Sequence, residues 1–589
     1  MRSPAPSYCS RCDDAMRTHN PATGSLTASL DKNLILTNCS VVSMTDRAPA
    51  STVVVHGGII RAIGDHRLVA EFQGSQTPVV DCGGRTVTPG LIDGHSHPVL
   101  GAERAIGLDL GEVVDAVDLL SRLRAEANRL RAASDHSWLR AWNLDYAAFE
   151  TLALDASSIE NAVQGMPALI LFFDGHTALA STKAMALSGV SERTLFDDNS
   201  QIVLNSARQP TGELREESAI NVVLNHAPAL SRAEIQRLAR AVLQRMSAAG
   251  LTGLCAMDGN DNTFDTIRTL DAEESGMPVR IVTAFDHHPG DGDELIAHRL
   301  ATLGDRHGRR WRSGLVKLYA DGIIDTGTGW LYEPDARGDG KIGLWGDPEN
   351  LFRTMLHYSR GGLQIATHAI GDRAVGATID AYLACGVTSA RGAAHRIEHI
   401  ECLTDTDLDR LAAAQISASL QPSHLQWRKD DASDEWSSRL GPQRATKAWR
   451  AGDLLAAGVP VALGSDWPVA QFDPRISMAW ARLRRTPGHP DAVIFEPEQR
   501  LTALQALHGF TVGAALAQGD MDLGRIAEGY RADFTIWEAD PLTVSADELV
   551  TTPIVATIVG GRATFAEPEL QFDLSDQKHG ADIPQKRCT

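Results

Sequence analysis

An α/β fold is predicted for this sequence: a (β/α)₈ TIM-like barrel, a composite β-sandwich built from both termini, and an insertion after the first barrel strand. Three observations carry that reading. Eight short apolar runs recur through the centre of the chain, most of them separated by helical patterns, as repeated βα units require. Strand-like, turn-punctuated texture occurs at both ends of the chain, which predicts one β domain made from two distant segments. One connection is far too long for a single βα unit. At 589 residues the chain also exceeds what one small core supports.

In order along the chain, residues 1–30 are rich in Ser, Pro, Ala and Thr without any period, and read as a flexible leader. Residues 31–87 carry the runs Leu34-Ile35-Leu36, Thr52-Val53-Val54-Val55 and Ile59-Ile60, punctuated by Gly57-Gly58 and Gly83-Gly84. Matching texture returns over residues 520–570, in Phe534 to Trp537 and Ile554 to Val559. The two segments are expected to pair into the sandwich; two separate β units are the alternative. The barrel is expected over residues 88–519, with the insertion over about residues 103–230, including the strand-like Ala168 to Phe173. Ser231-Arg232-Ala233-Glu234 is a capping box, followed by the helical stripe Ile235, Leu238, Val242 and Met246. Residues 571–589 read as a polar tail.

Composition narrows the function classes. A net charge of -20 argues against nucleic-acid and anionic-membrane partners, and no apolar run approaches the length of a membrane span. A small-molecule substrate is expected, and oligomeric state is left open. The eight scattered cysteines suit reduced thiols in a cytoplasmic setting. Cys9-Ser-Arg-Cys12 is a lone CxxC with no second pair nearby, and is not read as a metal site.

The chemistry lies where apolar runs end. Thr88-Pro89-Gly90-Leu91-Ile92-Asp93-Gly94-His95-Ser96-His97-Pro98 closes a strand with two histidines at i and i+2, which point the same way in extended chain and can offer imidazoles to one ion. Lys317 sits in the apolar run Leu315 to Tyr319. His368 follows Gln364-Ile365-Ala366-Thr367, His399 ends Arg396-Ile397-Glu398-His399, and Asp466 follows Val461-Ala462-Leu463-Gly464-Ser465. A barrel allots roughly 30 residues to each βα unit, so His368 to His399 spans one unit and His399 to Asp466 two, as strands five, six and eight demand. Singly, each has an ordinary reading as a core histidine, an ion-pairing lysine or a helix cap; together, six residues placed this regularly point to a metal centre.

With those stretches in hand, the chain resembles the amidohydrolase superfamily, and within it the YtcJ-like branch, amidohydrolase family 3, from about Asn33 to Phe565. Ala527-Glu528-Gly529-Tyr530-Arg531-Ala532-Asp533-Phe534 is similar to its closing motif. The resemblance implies that His95, His97 and Asp466 hold a buried metal, that His368 and His399 hold a more exposed one, and that Lys317 bridges the two as a CO₂-derived carbamate. Zinc suits this donor set, as do iron, manganese and cobalt. A shared water with its pKa brought toward ~7 would attack, with Asp466 as general base and then general acid. Hydrolysis of an amide or N-acyl C–N bond is therefore the leading expectation, N-substituted formamides being one substrate class the resemblance suggests. A mononuclear deaminase or cyclic-amide hydrolase is the alternative, and a non-catalytic scaffold a third.

Asp174-Gly175-His176 is similar to a motif the branch places near substrate, although Ser181 stands where Asn is common; His176 is a candidate substrate contact. Trp330, with Tyr332 and Gly338-Asp339-Gly340, is expected in a lid lining an apolar pocket, with Trp330 a further candidate substrate contact. Asp335 stands where the branch often has Tyr. Pro210 to Leu214 reads as a structural turn, and Arg396 and Glu398 as packing or ligand-orienting groups.

Overall fold

The computed structural model describes residues 32–570 and 572, apart from 75–76, 114, 134–137, 174, 193 and 197–199. The leader, Cys9, Cys12, Asp174 and nearly all of the polar tail lie outside the described residues.

Eight parallel strands form the central sheet: β1 (Leu91–Ser96), β2 (Leu251–Gly259), β3 (Arg280–Asp286), β4 (Trp311–Tyr319), β5 (Gln364–Ala369), β6 (Arg396–His399), β7 (Ser417–Leu420) and β8 (Val461–Leu463). They lie in chain order. Each neighbouring pair from β1 to β8 is parallel, so every C-terminal end opens on the same face. Strands buried on both sides read as continuous apolar runs, which is why these runs were visible in the sequence. The last and first strands meet at two glycines. A Cβ on Gly94 would lie 2.8 Å from Leu463 O, and one on Gly464 2.5 Å from the His95 backbone nitrogen; only glycine allows this approach.

The capping box at Ser231 is formed: its hydroxyl accepts from the Glu234 N–H, and Glu234 reaches back to the Ser231 N–H at 2.8 Å. The helix it starts, Arg232–Ala248, buries Ile235, Val242 and Met246 against the barrel core.

The two chain ends do pair. Thr86–Pro89 runs antiparallel to Phe534–Trp537 within a five-stranded sheet. A four-stranded sheet from Leu34–Thr37, Thr52–His56, Ile59–Gly64 and Val79–Asp81 lies across it. Leu36, Val53, Ile60, Phe534, Ile536 and Ile558 share their common core.

The insertion holds a six-stranded sheet in the order Gln201–Leu204, Pro210–Arg215, Thr177–Ala180, Ala168–Phe172, Leu139–Leu144 and Leu108–Asp109. The expectation of a turn at Pro210 to Leu214 is corrected: the segment is a strand paired on both sides. Gly212 has φ 101°, and a Pro-Thr-Gly sequence within a strand is easily misread as a turn.

Candidate metal centre

The strand ends bring His95, His97, His399 and Asp466 together, and add His424, which the sequence reading did not include. Two donor groups share Asp466: His95 and His97 on one side, His399 and His424 on the other. Asp466 Oδ1 lies 3.3 Å from His95 Nε2 and 3.1 Å from His97 Nε2. Asp466 Oδ2 lies 3.8 Å from His399 Nδ1 and 3.7 Å from His424 Nε2.

The first group is built by β1 and the turn after β8. Asp93 Oδ1 accepts from the N–H groups of His95 (3.1 Å) and Ser465 (2.9 Å), and Oδ2 from the Ser465 hydroxyl at 2.5 Å. The Asp466 N–H donates to His95 O at 2.8 Å. Burial pushes Asp93 up to about 7 against those hydrogen bonds. Asp466 has φ 58°, a left-handed conformation that Asp tolerates better than most residues. His399 and Ile400, at φ 74° and 47°, are strained, and a β-branched residue there is an outlier; such strain collects at functional sites.

Protonation follows from the partners. His95 Nδ1–H donates to Glu398 Oε2 at 2.6 Å, so Nε2 carries the lone pair and faces a carboxylate oxygen. Burial would raise Glu398, but Arg396 and then His95 hold it well below the usual carboxylate range. Arg396, fully buried inside the barrel, donates to both Glu398 oxygens and to Gly94 O. Burial also opposes ionisation of Asp466, yet His95 and the other imidazoles keep it well below its ordinary value. His368 and His399 are pushed well below the ordinary imidazole value, chiefly by burial, so both present neutral rings.

The donor set fits a divalent cation. His95 Nε2, His399 Nδ1 and His424 Nε2, the ring atoms that face Asp466, are buried without a hydrogen-bond partner among the described residues. Buried orphans of that kind call for an ion or water. The 3.1 and 3.3 Å separations on the first side match the roughly 3.3 Å edge of a tetrahedron with ~2.0–2.1 Å metal–ligand bonds.

Lys317 is 1% exposed on β4, and burial lowers its pKa, opposed by Glu398, Asp466 and Asp286. The His368 ring stands 4.5 Å from that of His399, and its Nε2–H donates to Gly322 O at 3.0 Å. His368 lies within β5 rather than just beyond it. Lys317, His368 and His176 line the same cavity as the Asp466 groups, about 400 Å³ in volume.

Trp330 is not among the lining residues, which corrects the expectation of a substrate contact. Its ring packs in the barrel core and its backbone N–H donates to Asp321 at 2.8 Å. Asp335 is likewise turned away, paired with Arg439 at 2.6 Å. Aromatic rings from elsewhere line the cavity instead, including Phe173 of the insertion stacked on Trp427 at 4.1 Å.

His424 had a readable signal: Gln421-Pro422-Ser423-His424 follows the seventh apolar run, at the same end as the other candidates. The wall formed by Asp286, His288, Glu217 and Arg104 had none, because its members come from three separate segments. His288 Nε2–H donates to Asp286 at 2.8 Å, with Glu217 at 3.6 Å.

The amidohydrolase family model (Amidohydro_3) matches residues 78–565. Protein LONG AFTER FAR-RED 3 of Arabidopsis thaliana is 29% identical over 563 residues, 91% of this chain and 92% of that protein. N-substituted formamide deformylase of Arthrobacter pascens is 23% identical over 544 residues, 90% of this chain and 98% of that protein. Among solved structures, an uncharacterized metal-dependent hydrolase from Pyrococcus horikoshii OT3 superposes with a TM-score of 0.68 at 21% identity, covering 87% of this chain and 99% of that one. That likeness concerns the fold. With the family model spanning residues 78–565, the chain belongs to the amidohydrolase family.

Proposed function

We propose that this chain is a metal-dependent amidohydrolase that cleaves the C–N bond of a small amide or N-acyl substrate. The observation that carries the reading is Asp466, whose two oxygens face two sets of imidazoles at the mouth of one barrel. In this reading His95, His97, Lys317, His368, His399 and Asp466 hold the metal, joined by His424. Bound divalent ions, two zinc ions being the preferred set, supply Lewis acidity that lowers the pKa of a water toward ~7 and polarises a carbonyl.

The chain's own residues do the rest. Glu398 fixes the His95 tautomer so that Nε2 presents its lone pair. Lys317, with its amine deprotonated more readily by burial, adds through its nitrogen to CO₂ and releases a proton, giving a carbamate oxygen donor. Asp466, held ionised, takes a proton from the attacking water and hands it to the leaving nitrogen. His176 contacts the substrate from the insertion side of the cavity. The relative named for N-substituted formamides favours an amide over other hydrolysable bonds, and the scattered cysteines suit a cytoplasmic setting.

The test is hydrolysis of an amide panel, N-substituted formamides included, by protein stripped with a chelator and reloaded with zinc. Expected are loss on stripping, recovery on reloading, and a fall in kcat of about 10²–10⁴-fold in Asp466→Asn. Amide turnover indifferent to chelation would refute the reading. Release of ammonia from heterocyclic amines, with one ion per chain, would favour the mononuclear deaminase.

A further inference from the structure

We propose that Glu216, contributed by the insertion, is a positioning residue for the metal centre. It sets the His176 ring directly and the His368 ring through Thr328 and the Gly322 carbonyl. The proposal rests on the reading above in which His368 holds metal.

Glu216 precedes the helix Glu217–Leu224 at its N-cap position, and its side chain makes no capping bond to the helix's N–H groups. Its backbone, at φ 66° and ψ 164°, occupies a region essentially confined to glycine. The side chain is only 5% exposed. A buried carboxylate on a strained backbone, not capping its own helix, is held there by something else.

That something is a set of three hydrogen bonds along the cavity wall. Glu216 Oε2 accepts from His176 Nδ1–H at 2.6 Å, and the Glu216 N–H donates to His176 O at 2.7 Å, so the two residues are tied twice. Oε1 accepts from the Thr328 hydroxyl at 2.7 Å. Thr328 closes the loop that follows β4: its Oγ1 accepts from the Ile323 N–H at 2.9 Å, and its carbonyl from the Gly322 N–H at 3.2 Å.

The Gly322 carbonyl at the head of that loop accepts from His368 Nε2–H, which assigns the lone pair of a neutral ring to Nδ1. Packing is tight enough to transmit a displacement. A Cβ on Gly322 would lie 2.5 Å from Glu216 Oε1 and 2.2 Å from Thr328 Oγ1. The His176 and His368 rings themselves stand 5.7 Å apart. One carboxylate thus orients two imidazoles on the same side of the cavity, from an element outside the barrel.

The experiment compares the full chain with Glu216→Ala, Glu216→Gln and Thr328→Val. It reads zinc affinity by chelator competition, kcat and KM separately on an amide the wild type cleaves, and the thermal midpoint. Removing an outer partner of a metal ligand typically costs about 10–100-fold in affinity or activity. Glu216→Ala should lose zinc affinity and kcat by that order. Thr328→Val should lose zinc affinity while leaving KM unchanged, because the His176 bond is intact. Glu216→Gln keeps an acceptor for His176 in the same shape and should recover most of the loss.

A merely structural anchor would lower the thermal midpoint and leave the zinc affinity of the folded variants at the wild-type value; that result overturns the positioning role alone. A wild-type chain that binds no zinc would refute the metal reading, and this proposal with it.

Discussion

Asp466 divides its two oxygens between opposite sets of imidazoles, so it cannot be replaced by a group with one acceptor. His424 is the sharper test, because nothing but geometry selects it. His424→Ala should lower zinc affinity by at least about tenfold, measured by chelator competition; unchanged affinity would remove it from the donor set. Beneath the site, Glu398 is fully buried between Arg396 and His95. Glu398→Gln leaves the Arg396 cation buried without a counter-charge, which should cost about 3–5 kcal/mol in a urea titration, with loss of the His95 tautomer besides. At this scale the sequence was legible wherever a residue ended an apolar run, as His95, His97, His399 and Asp466 do. It was not legible where a residue's worth depends on a distant partner. Glu216 needed His176 and Thr328, and Trp330 packs in the barrel core instead of lining the cavity.

The barrel strands were readable because parallel strands covered on both faces are continuously apolar, and their order followed from chain order alone. The insertion was less so. Its existence followed from chain length between His97 and Leu230, but its mixed strand order, with Thr177–Ala180 between Ala168–Phe172 and Pro210–Arg215, is set by pairings no local pattern encodes. It joins the barrel at the wall where β3 ends. There Asp286 outweighs burial and raises His288 to about 10, and His288, with Tyr319, holds Asp286 low against the same burial. Glu217 and the Asp291 carboxylate, which accepts from the His288 backbone N–H at 3.0 Å, also favour the charged ring. A raised histidine stabilises the fold in full only below its unfolded value near ~6.5, and the contribution fades as pH climbs toward about 10. The lowered Asp286 contributes above its ordinary value of 3.8 and is lost as pH falls below it. The thermal-midpoint difference between wild type and His288→Asn should therefore be greatest between these limits and shrink steadily in alkali. A difference that holds constant into alkali would contradict the pairing.

In the whole molecule, the two chain ends close one β domain against the barrel, and Arg280 of β3 donates to both Asp533 oxygens at 2.7 and 3.1 Å. Matching texture at both ends suggested that pairing but left two separate β units open, because each end also pairs within itself; the register of Thr86–Pro89 on Phe534–Trp537 was beyond it. Phe534 is fully buried in the shared core, so Phe534→Ala should cost about 3–5 kcal/mol, lowering the urea midpoint of the whole chain if the sandwich and barrel unfold together. A separate early transition would show instead that the sandwich is an independent unit. No helix among the described residues is long and apolar enough to cross a membrane. The central claim is that the barrel mouth gathers metal ions on Asp466, the imidazoles and Lys317. It is tested most directly by counting metal ions per chain in protein produced with ample zinc and bicarbonate. About two ions are predicted, falling in Lys317→Ala and vanishing in Asp466→Ala. A count near zero, or one that neither substitution changes, would contradict it.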